Sequence, residues 1–242
     1  MNALERIVAA HRAADAARSV PRGFRAALTG PGLAVIAEIK RRSPSKGDLA
    51  PDLDPALTAK AYAAGGAAAL SVLTDVEFFG GSEADLAAAR AAVDIPVLRK
   101  DFTVSELDVC DARVMGADAV LLIVAALSDA ELAKLCALTR DLGMDALVEV
   151  YDDDELDRAL TAGADLIGVN QRDLKTFDVD QERAARFAAR MPAGVVKVAE
   201  SGIRGRGDAA AMLALGYDAI LVGETVVTAA DPTAAVRELT CS

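Results

Sequence analysis

Histidine and tryptophan are nearly missing from this chain of 242 residues, which has no tryptophan and a single histidine, His11. A Ser-His-Asp or Cys-His nucleophile system and a histidine-rich zinc site each need histidine beside the reacting groups. His11 lies in an early amphipathic segment, far from every predicted strand end. Proton transfer therefore falls to lysine and carboxylate side chains or does not take place, and no metal site is predicted.

Cysteine is also scarce, and long apolar runs are missing. The cysteines Cys110, Cys136 and Cys241 are odd in number and form no CxxC pair, a pattern that fits a reducing compartment and small residues packed between helices. No stretch reaches the roughly 18 apolar residues of a membrane span. Charges interrupt the N-terminus, so it lacks the apolar region of a signal peptide. We expect a cytoplasmic protein that does not enter a membrane.

Basic residues are outnumbered, since 26 Lys and Arg stand against 37 Asp and Glu and give a formal net charge of -11. Nucleic acids and anionic membranes are bound by clustered Lys and Arg, so neither is an expected partner. A small anion could still bind in a local cationic pocket. With 53% hydrophobic residues the chain can bury a large core. We expect one domain over residues 1–242 and a monomeric protein.

A short phrase recurs about every fifty residues: AGGAAALSVL from Ala64, MGADAVLLIV from Met115, AGADLIGVN from Ala162 and LGYDAILVG from Leu215. In each phrase a helix is expected to end at a left-handed glycine, after which a β-favouring apolar run begins. Further strand patterns with charged ends lie between these phrases. The predicted strands span residues 33–40, 68–73, 97–100, 119–123, 146–150, 166–170, 195–200 and 219–222.

Helical patterns fill the gaps between the predicted strands. SEADLAAARAAV and SDAELAKLCALTRDLG open on Ser82 and Ser128, each a predicted N-cap with carboxylates in the first turn. Apolar strands alternating with amphipathic helices indicate a parallel sheet covered by helices, and eight repeats predict a closed (β/α)8 TIM barrel. An open doubly wound sheet is the alternative. Residues 1–32 are predicted to be an N-terminal helical extension lying across one mouth of the barrel.

Four predicted strands end on charged side chains. AVIAEIK ends at Glu38 and Lys40, PVLRK at Lys100, ALVEV at Glu149 and VVKVAE at Glu200. A charge at the end of an apolar strand is costly to desolvate unless something pairs with it. Because the carboxyl ends of barrel strands meet at one mouth, we expect these side chains to form one site. Structural ion pairs at the rim are the alternative interpretation.

Loops at the same mouth have the composition of an anion site. IKRRSPSKGDL follows the first strand, and the loops after strands seven and eight, which often bind phosphate in this fold, contain Gly202 and Gly223. Asn170 and Arg172 in NQRDL suit a substrate carboxylate or hydroxyl. The alternative is a solvated basic turn with glycines that only reverse the chain. No GxGxxG follows the first strand, so a dinucleotide cofactor is not predicted.

The motifs, taken in order, resemble those of the indole-3-glycerol phosphate synthases of tryptophan biosynthesis. The matching phrases are VIAEIKRRSPSKG, LSVLTDVEFFGGS, PVLRKDF, GADAVLLI, LVEVY, GVNQRDLKTF, VAESGI and ILVGE. The resemblance implies ring closure, without metal or cofactor, of a small phosphorylated substrate, 1-(2-carboxyphenylamino)-1-deoxyribulose 5-phosphate. The implied products are indole-3-glycerol phosphate, carbon dioxide and water.

The resemblance also implies catalytic roles. Lys100 is the implied general acid for the ketone oxygen, Glu149 shares the proton transfers of dehydration, and Lys40 holds the substrate carboxylate or acts as a second acid. Glu38 and Glu200 orient the lysines and the anilino nitrogen. The implied catalytic set is Glu38, Lys40, Lys100, Glu149, Asn170 and Glu200.

The same resemblance implies a set of substrate-binding residues. Phe102 and Leu174 wall the aromatic ring, while Arg172 steadies Glu149 or the carboxylate region. The neighbouring Phe78 and Phe79 are expected to pack in the core or in a lid. The implied substrate-binding residues are Ser43, Phe102, Arg172, Leu174, Ser201, Gly202, Leu221, Gly223 and Glu224, of which the last two contribute backbone amides.

Three other functions are compatible with parts of this pattern. A barrel lysine beside carboxylates also occurs in Schiff-base aldolases. Phosphoribosylanthranilate isomerase has a related barrel, but it is expected to use a cysteine and an aspartate, whereas strand one here ends in Lys40. A binding module that has lost turnover would carry a broken acid-base set, and this set is whole.

Overall fold

The computed structural model describes residues 20–172 and 180–240 of the chain. These residues contain ten strands and ten α-helices. The strands are β1 (Ala34–Ile39), β2 (Arg42–Ser43), β3 (Gly47–Asp48), β4 (Ala69–Leu73), β5 (Val97–Lys100), β6 (Ala119–Ile123), β7 (Asp145–Val150), β8 (Leu166–Asn170), β9 (Val196–Glu200) and β10 (Ala219–Val222). The helices are α1 (Phe24–Ala27), α2 (Pro55–Ala64), α3 (Glu83–Ala92), α4 (Glu106–Met115), α5 (Asp129–Asp141), α6 (Asp153–Thr161), α7 (Gln181–Arg190), α8 (Arg206–Ala214), α9 (Glu224–Val227) and α10 (Pro232–Leu239).

Eight of the strands form a closed parallel barrel in the order β1-β10-β9-β8-β7-β6-β5-β4. The barrel closes because β1 pairs with β10 on one side and with β4 on the other. Each barrel strand lies within one residue of its predicted bounds at both ends. The predicted (β/α)8 barrel is therefore confirmed, and the open doubly wound sheet is excluded.

The local signals for helix ends are also present in the structure. The Ser82 side chain accepts a hydrogen bond from the N–H of Asp85 at 3.2 Å, and Ser128 forms a capping box with Glu131. Such caps satisfy backbone N–H groups that the helix itself leaves unpaired. Gly116 and Gly163 have φ of 90° and 78°, the left-handed conformation that lets a helix end and turn directly into the next strand.

A short hairpin was not predicted. Strands β2 and β3 pair in antiparallel fashion directly after β1, with Arg42 opposite Asp48 and Ser43 opposite Gly47. Two-residue strands of polar residues carry no hydrophobic periodicity, so the sequence pattern gave no signal for them. The hairpin stands at the carboxyl end of β1, beside the predicted site.

The helix α1 lies at the opposite mouth of the barrel. Phe24 and Leu28 are fully buried and pack with the inward-facing residues of the strands. The N–H of Arg22 donates to Asp118 at 2.8 Å and that of Arg25 donates to Asp145 at 2.9 Å, which fixes the segment to the amino ends of β6 and β7. This mouth is therefore closed by apolar packing and hydrogen bonds. Residues 1–19 lie outside the described residues.

Candidate active site

Strand alternation brings the predicted residues into the other mouth. Side chains two residues apart on a strand point the same way. Leu98 packs inside the barrel, so Lys100 points inward one step further along, and Leu147 places Glu149 in the same manner. Strand register completes the ring, because Asn170 lies beside Glu200 and Glu200 lies beside Leu221.

The mouth opens into two adjoining cavities. The larger, of about 1030 Å³, has a mostly polar wall, and the smaller, of about 470 Å³, has a mostly apolar wall. We call them the polar lobe and the apolar lobe. Side chains that line both lobes mark their junction, and these are Lys40, Ser43, Ser45, Lys100, Asn170, Arg172 and Ser201.

Lys40 and Glu38 form the first charge pair at this junction. Lys40 Nζ lies 2.5 Å from Glu38 Oε1, and the Ser71 hydroxyl donates to the other carboxylate oxygen at 3.4 Å. Burial by itself favours the neutral acid, but the charges of Lys40 and Lys100 and these hydrogen bonds outweigh it and lower the pKa of Glu38. Glu38 is therefore an anion that holds Lys40 in place.

Lys100 and Glu149 form the second pair, with 3.8 Å between Lys100 Nζ and Glu149 Oε2. The Asn170 amide donates to Glu149 Oε1 at 3.0 Å, and the Ser201 hydroxyl donates to Asn170 Oδ1 at 2.9 Å. The backbone N–H of Arg172 donates to the same amide oxygen at 3.0 Å. Ser201 and the backbone of Arg172 thus hold the Asn170 amide, and Asn170 in turn fixes the orientation of Glu149.

Glu200 is the third carboxylate and the most deeply enclosed. Burial, the neighbouring charge of Glu149 and a hydrogen bond shared with it raise the pKa of Glu200 well above its ordinary value, although Lys100 opposes the shift. Burial and the charge of Glu149 therefore favour the protonated form of Glu200 over its anion. Its Oε1 is buried and has no hydrogen-bond partner among the described residues. An unsatisfied buried oxygen that borders the cavity is suited to a hydrogen-bonding group of a ligand.

The electrostatics of Lys100 bear on the choice of reaction. Burial favours the neutral amine, but attraction by the carboxylates of Glu149 and then Glu38 prevails, so the pKa of Lys100 is raised. Schiff-base formation needs a neutral amine and hence a lowered lysine pKa. The raised pKa keeps Lys100 in its ammonium form. A proton donor needs this form, whereas the lysine of a Schiff-base aldolase needs the neutral amine.

The residues predicted to bind phosphate meet in the polar lobe. Ser201 and Gly202, after β9, have φ of 66° and 74°, left-handed conformations that turn their backbone toward the lobe. A side chain at Gly223 could not fit, since its Cβ would lie 2.5 Å from Glu38 Oε1. Ser43, Leu221 and Glu224 also line this lobe, with Leu221 buried in the inner core as well.

The apolar lobe contains the predicted aromatic wall. Phe102 lines it and is 51% exposed, and Arg172 lies at the junction. Phe78 and Phe79 line the same lobe, and Phe78 is 54% exposed, so of the two expected environments, core or lid, Phe78 does not lie in the core. The loop after β4 holds these rings at the rim. Leu174 lies outside the described residues.

Sequence reasoning missed three residues of this site. Ser71 hydrogen-bonds Glu38, Gly168 provides the space for Glu200, and Lys46 forms an ion pair with Glu224 across the polar lobe. Ser71 could have been found as the one polar side chain in an apolar strand at an inward position. Gly168 and Lys46 depend on contacts between distant segments.

The described residues contain neither a metal-binding cluster nor a membrane-spanning helix. In residues 20–172 and 180–240, no group of three His, Cys, Asp or Glu side chains is arranged to hold a metal ion. Over the same ranges, none of the helices combines the length and apolar character that crossing a bilayer requires.

The fold and the site define a class: (β/α)8 barrels that hold paired lysines and glutamates at the carboxyl-terminal mouth, between a polar and an apolar lobe. A family model described as indole-3-glycerol phosphate synthase matches residues 2–239. The chain belongs to this family, whose members are carboxy-lyases of tryptophan biosynthesis.

Individual relatives agree with this assignment. The chain is 57% identical over 224 residues to "Indole-3-glycerol phosphate synthase 2" of Streptomyces coelicolor, covering 93% of this chain and 87% of that protein. It is 53% identical over 228 residues to the indole-3-glycerol phosphate synthase of Mycobacteroides abscessus, covering 94% and 84%. A solved structure, thiamine phosphate pyrophosphorylase from Pyrococcus furiosus, superposes with a TM-score of 0.65 at 20% identity over 86% of this chain and 93% of that one. That likeness concerns the fold alone.

Proposed function

We propose that this chain converts 1-(2-carboxyphenylamino)-1-deoxyribulose 5-phosphate into indole-3-glycerol phosphate, carbon dioxide and water. The observation that carries the proposal is the placement of Lys40 and Lys100 at the junction of a polar and an apolar lobe, where carboxyl groups flank them from both sides. Glu38 and Glu200 line the polar lobe, and Glu149 lines the apolar lobe. The substrate has the same polarity, with a sugar phosphate at one end and an aromatic ring at the other. Its ketone carbon would lie at the junction.

Ring closure begins with Lys100. Its ammonium donates to the ketone oxygen, which makes the carbonyl carbon electrophilic enough for attack by the ring carbon that bears the carboxylate. The raised pKa of Lys100 keeps the donor charged before substrate binds. Glu149, 3.8 Å from Lys100 Nζ, stabilises the ammonium until its proton passes to the ketone oxygen.

Loss of carbon dioxide restores the aromatic ring. Lys40, held by Glu38 at 2.5 Å, binds the substrate carboxylate and fixes the ring against Phe102. The apolar wall favours departure of neutral carbon dioxide over retention of the carboxylate anion. Arg172, at the junction of the two lobes, steadies Glu149 or the carboxylate region, and Leu174 is the second residue assigned to the aromatic ring.

Dehydration removes the former ketone oxygen as water. Glu149, oriented by Asn170, takes and returns protons in this stage, with a lysine ammonium as the acid. Glu200 binds the anilino N–H through the Oε1 that lacks a partner among the described residues. The raised pKa of Glu200 favours its neutral form, which avoids a third negative charge beside Glu38 and Glu149.

The sugar phosphate occupies the polar lobe. Backbone N–H groups of Gly202, Gly223 and Glu224 and the hydroxyls of Ser43 and Ser201 are its ligands, as expected for the loops after the last two barrel strands. Leu221 forms the floor between this lobe and the inner core.

The proposal extends to the state of the protein in the cell. The chain acts as a monomer of one domain over residues 1–242, with 1–32 as its N-terminal extension, in the cytoplasm. The free thiols of Cys110 and Cys136 suit a reducing compartment. All the site residues named above come from one chain.

The test is to mix the purified protein with the anilino-ribulose phosphate and to follow indole fluorescence. The Lys100→Ala variant is expected to lose about 10²–10⁴-fold in kcat, the range for removal of a general acid. Lys60→Ala, on the exposed side of α2, is the matched control and should retain activity. Circular dichroism at the assay pH shows whether Lys100→Ala is folded. Turnover near the wild-type rate in that variant would defeat the proposed role of Lys100.

A further inference from the structure

Lys46 lines the polar lobe but has no part in the chemistry proposed above. It stands at the turn of the β2-β3 hairpin, where its N–H donates to the Ser43 carbonyl at 3.3 Å. Gly47 follows with φ of 71° and reverses the chain into β3. The hairpin therefore holds the base of the Lys46 side chain at a defined position on the rim of the lobe.

An ion pair joins this hairpin to the opposite wall of the lobe. Lys46 Nζ lies 3.1 Å from Glu224 Oε1, and the two side chains are 53% and 45% exposed. Glu224 follows β10, the neighbour of β1 in the barrel, so the pair links the loops after the first and the last barrel strand. The contact lies next to Gly223 and thus beside the proposed phosphate position.

Three other cations on the polar lobe are held differently. Lys40 lies 2.5 Å from Glu38 in a pair whose side chains are 15% and 5% exposed, and Lys100 is attracted by the buried carboxylates of Glu149 and Glu38. Arg204 donates twice to Asp208, at 3.0 and 3.1 Å. The pair of Lys46 with Glu224 has a single contact and is half exposed, which is the weakest kind of ion pair.

A phosphate ester competes well for such a lysine. It carries about -1.5 to -2 charges at neutral pH and three strong acceptor oxygens, against one charge on a carboxylate. Glu224 would repel the same phosphate unless a cation stood between the two. Lys46 is positioned to be that cation, because it already touches Glu224 and borders the same lobe.

We propose that Lys46 binds the phosphate group of the substrate, and that Glu224 holds the Lys46 ammonium at the rim of the empty lobe and yields it when phosphate enters. This inference rests on the proposed function, since it deepens the phosphate site of that reaction. The exchange draws the β2-β3 hairpin onto the bound sugar phosphate. Lys46 contributes to binding and not to proton transfer.

Binding of inorganic phosphate, measured by calorimetry or by phosphorus NMR at low ionic strength, tests the inference without turnover. Lys46→Met is expected to raise the Kd for phosphate roughly tenfold, as for loss of one charge-assisted hydrogen bond. Glu224→Gln is expected to lower it, because the carboxylate that competes for Lys46 is gone. Lys60→Met is the control and should bind as the wild type does.

Steady-state kinetics provide the second readout. Lys46→Met should raise KM for the anilino-ribulose phosphate by about the same tenfold factor and change kcat by less than about twofold, as for loss of uniform binding. Unchanged phosphate binding in Lys46→Met would overturn the inference, and so would a fall in kcat with phosphate binding intact. If the wild type bound phosphate but turned over no substrate, the proposed function would fail while the titration still decided the role of Lys46.

Discussion

Gly168 is predicted to be the residue on which the position of Glu200 depends. It lies on β8, and a Cβ built there would stand 1.9 Å from Glu200 Oε1 and 3.3 Å from Leu147 Cδ1. Real Cβ atoms do not approach other atoms so closely, so Gly168→Ala must displace the Glu200 carboxyl or the strand. The Glu200 side chain cannot simply withdraw, because it is buried beside Glu149 and Lys100.

The magnitude follows from overpacking. An extra methyl group in a well-packed interior costs roughly 1–3 kcal/mol, while alanine gains about 0.5–1 kcal/mol over glycine within a strand. We expect Gly168→Ala to lower the free energy of unfolding by about 1–2 kcal/mol, which urea denaturation measures. A displacement of the carboxyl by about 1 Å should reduce kcat/KM by roughly 10²-fold.

The double variant separates the two effects. Gly168→Ala with Glu200→Ala removes the clash and should recover most of the stability while activity stays lost. Gly207→Ala, on α8 with open space around the added Cβ, is the matched control and should be neutral or slightly stabilising. Wild-type stability and wild-type kcat/KM in Gly168→Ala would refute the reasoning.

Two further predictions concern buried carboxyl groups. Because burial beside Glu149 raises the pKa of Glu200, its ionisation destabilises the fold: the stabilising contribution is complete below the unfolded pKa near 4.5 and is lost as pH rises toward the folded value. Glu200→Gln should therefore gain stability relative to the wild type in denaturation curves as pH rises above the unfolded pKa of the glutamate; a pH-independent difference would contradict this. Asp118 is fully buried, accepts from Arg90 and from the N–H groups of Arg22 and Val97, and its replacement by Ala should cost about 3–5 kcal/mol with kcat of the folded fraction retained. A small loss of stability, or a loss of kcat at full folding, would show that Asp118 has another role.

The sequence was informative where a local pattern has one structural solution. The phrase PVLRK predicted β5 with its correct ends, because an apolar run bounded by turn residues has few alternatives. The inward direction of Lys100 and Glu149 followed from strand alternation alone. Barrel closure was predicted from the number of strand-helix units. The open alternative would leave two edge strands with unpaired backbone groups, whereas a closed barrel leaves none.

Features that depend on contacts between distant segments were not predictable in the same way. The β2-β3 hairpin consists of two residue pairs without hydrophobic periodicity, so no local pattern marks it. Phe78 is a large apolar residue, but it lines the apolar lobe. The need for glycine at residue 168 appears only when Glu200, on the next strand, is in place. The raised pKa of Glu200 likewise depends on burial and on Glu149, which lies far away in the sequence.

The seal at the amino-terminal mouth has a consequence for synthesis on the ribosome. Arg22 and Arg25 hydrogen-bond to Asp118, Asp145 and Gly194. The segment that contains α1 therefore finds its last partner only after residue 194 has left the ribosome. Strand β1 waits longer still, because its second neighbour ends at Val222. Until the barrel closes, Phe24 and Leu28 cannot be buried against the inward-facing strand residues. These apolar side chains are exposed on the nascent chain during that time and can associate with other molecules.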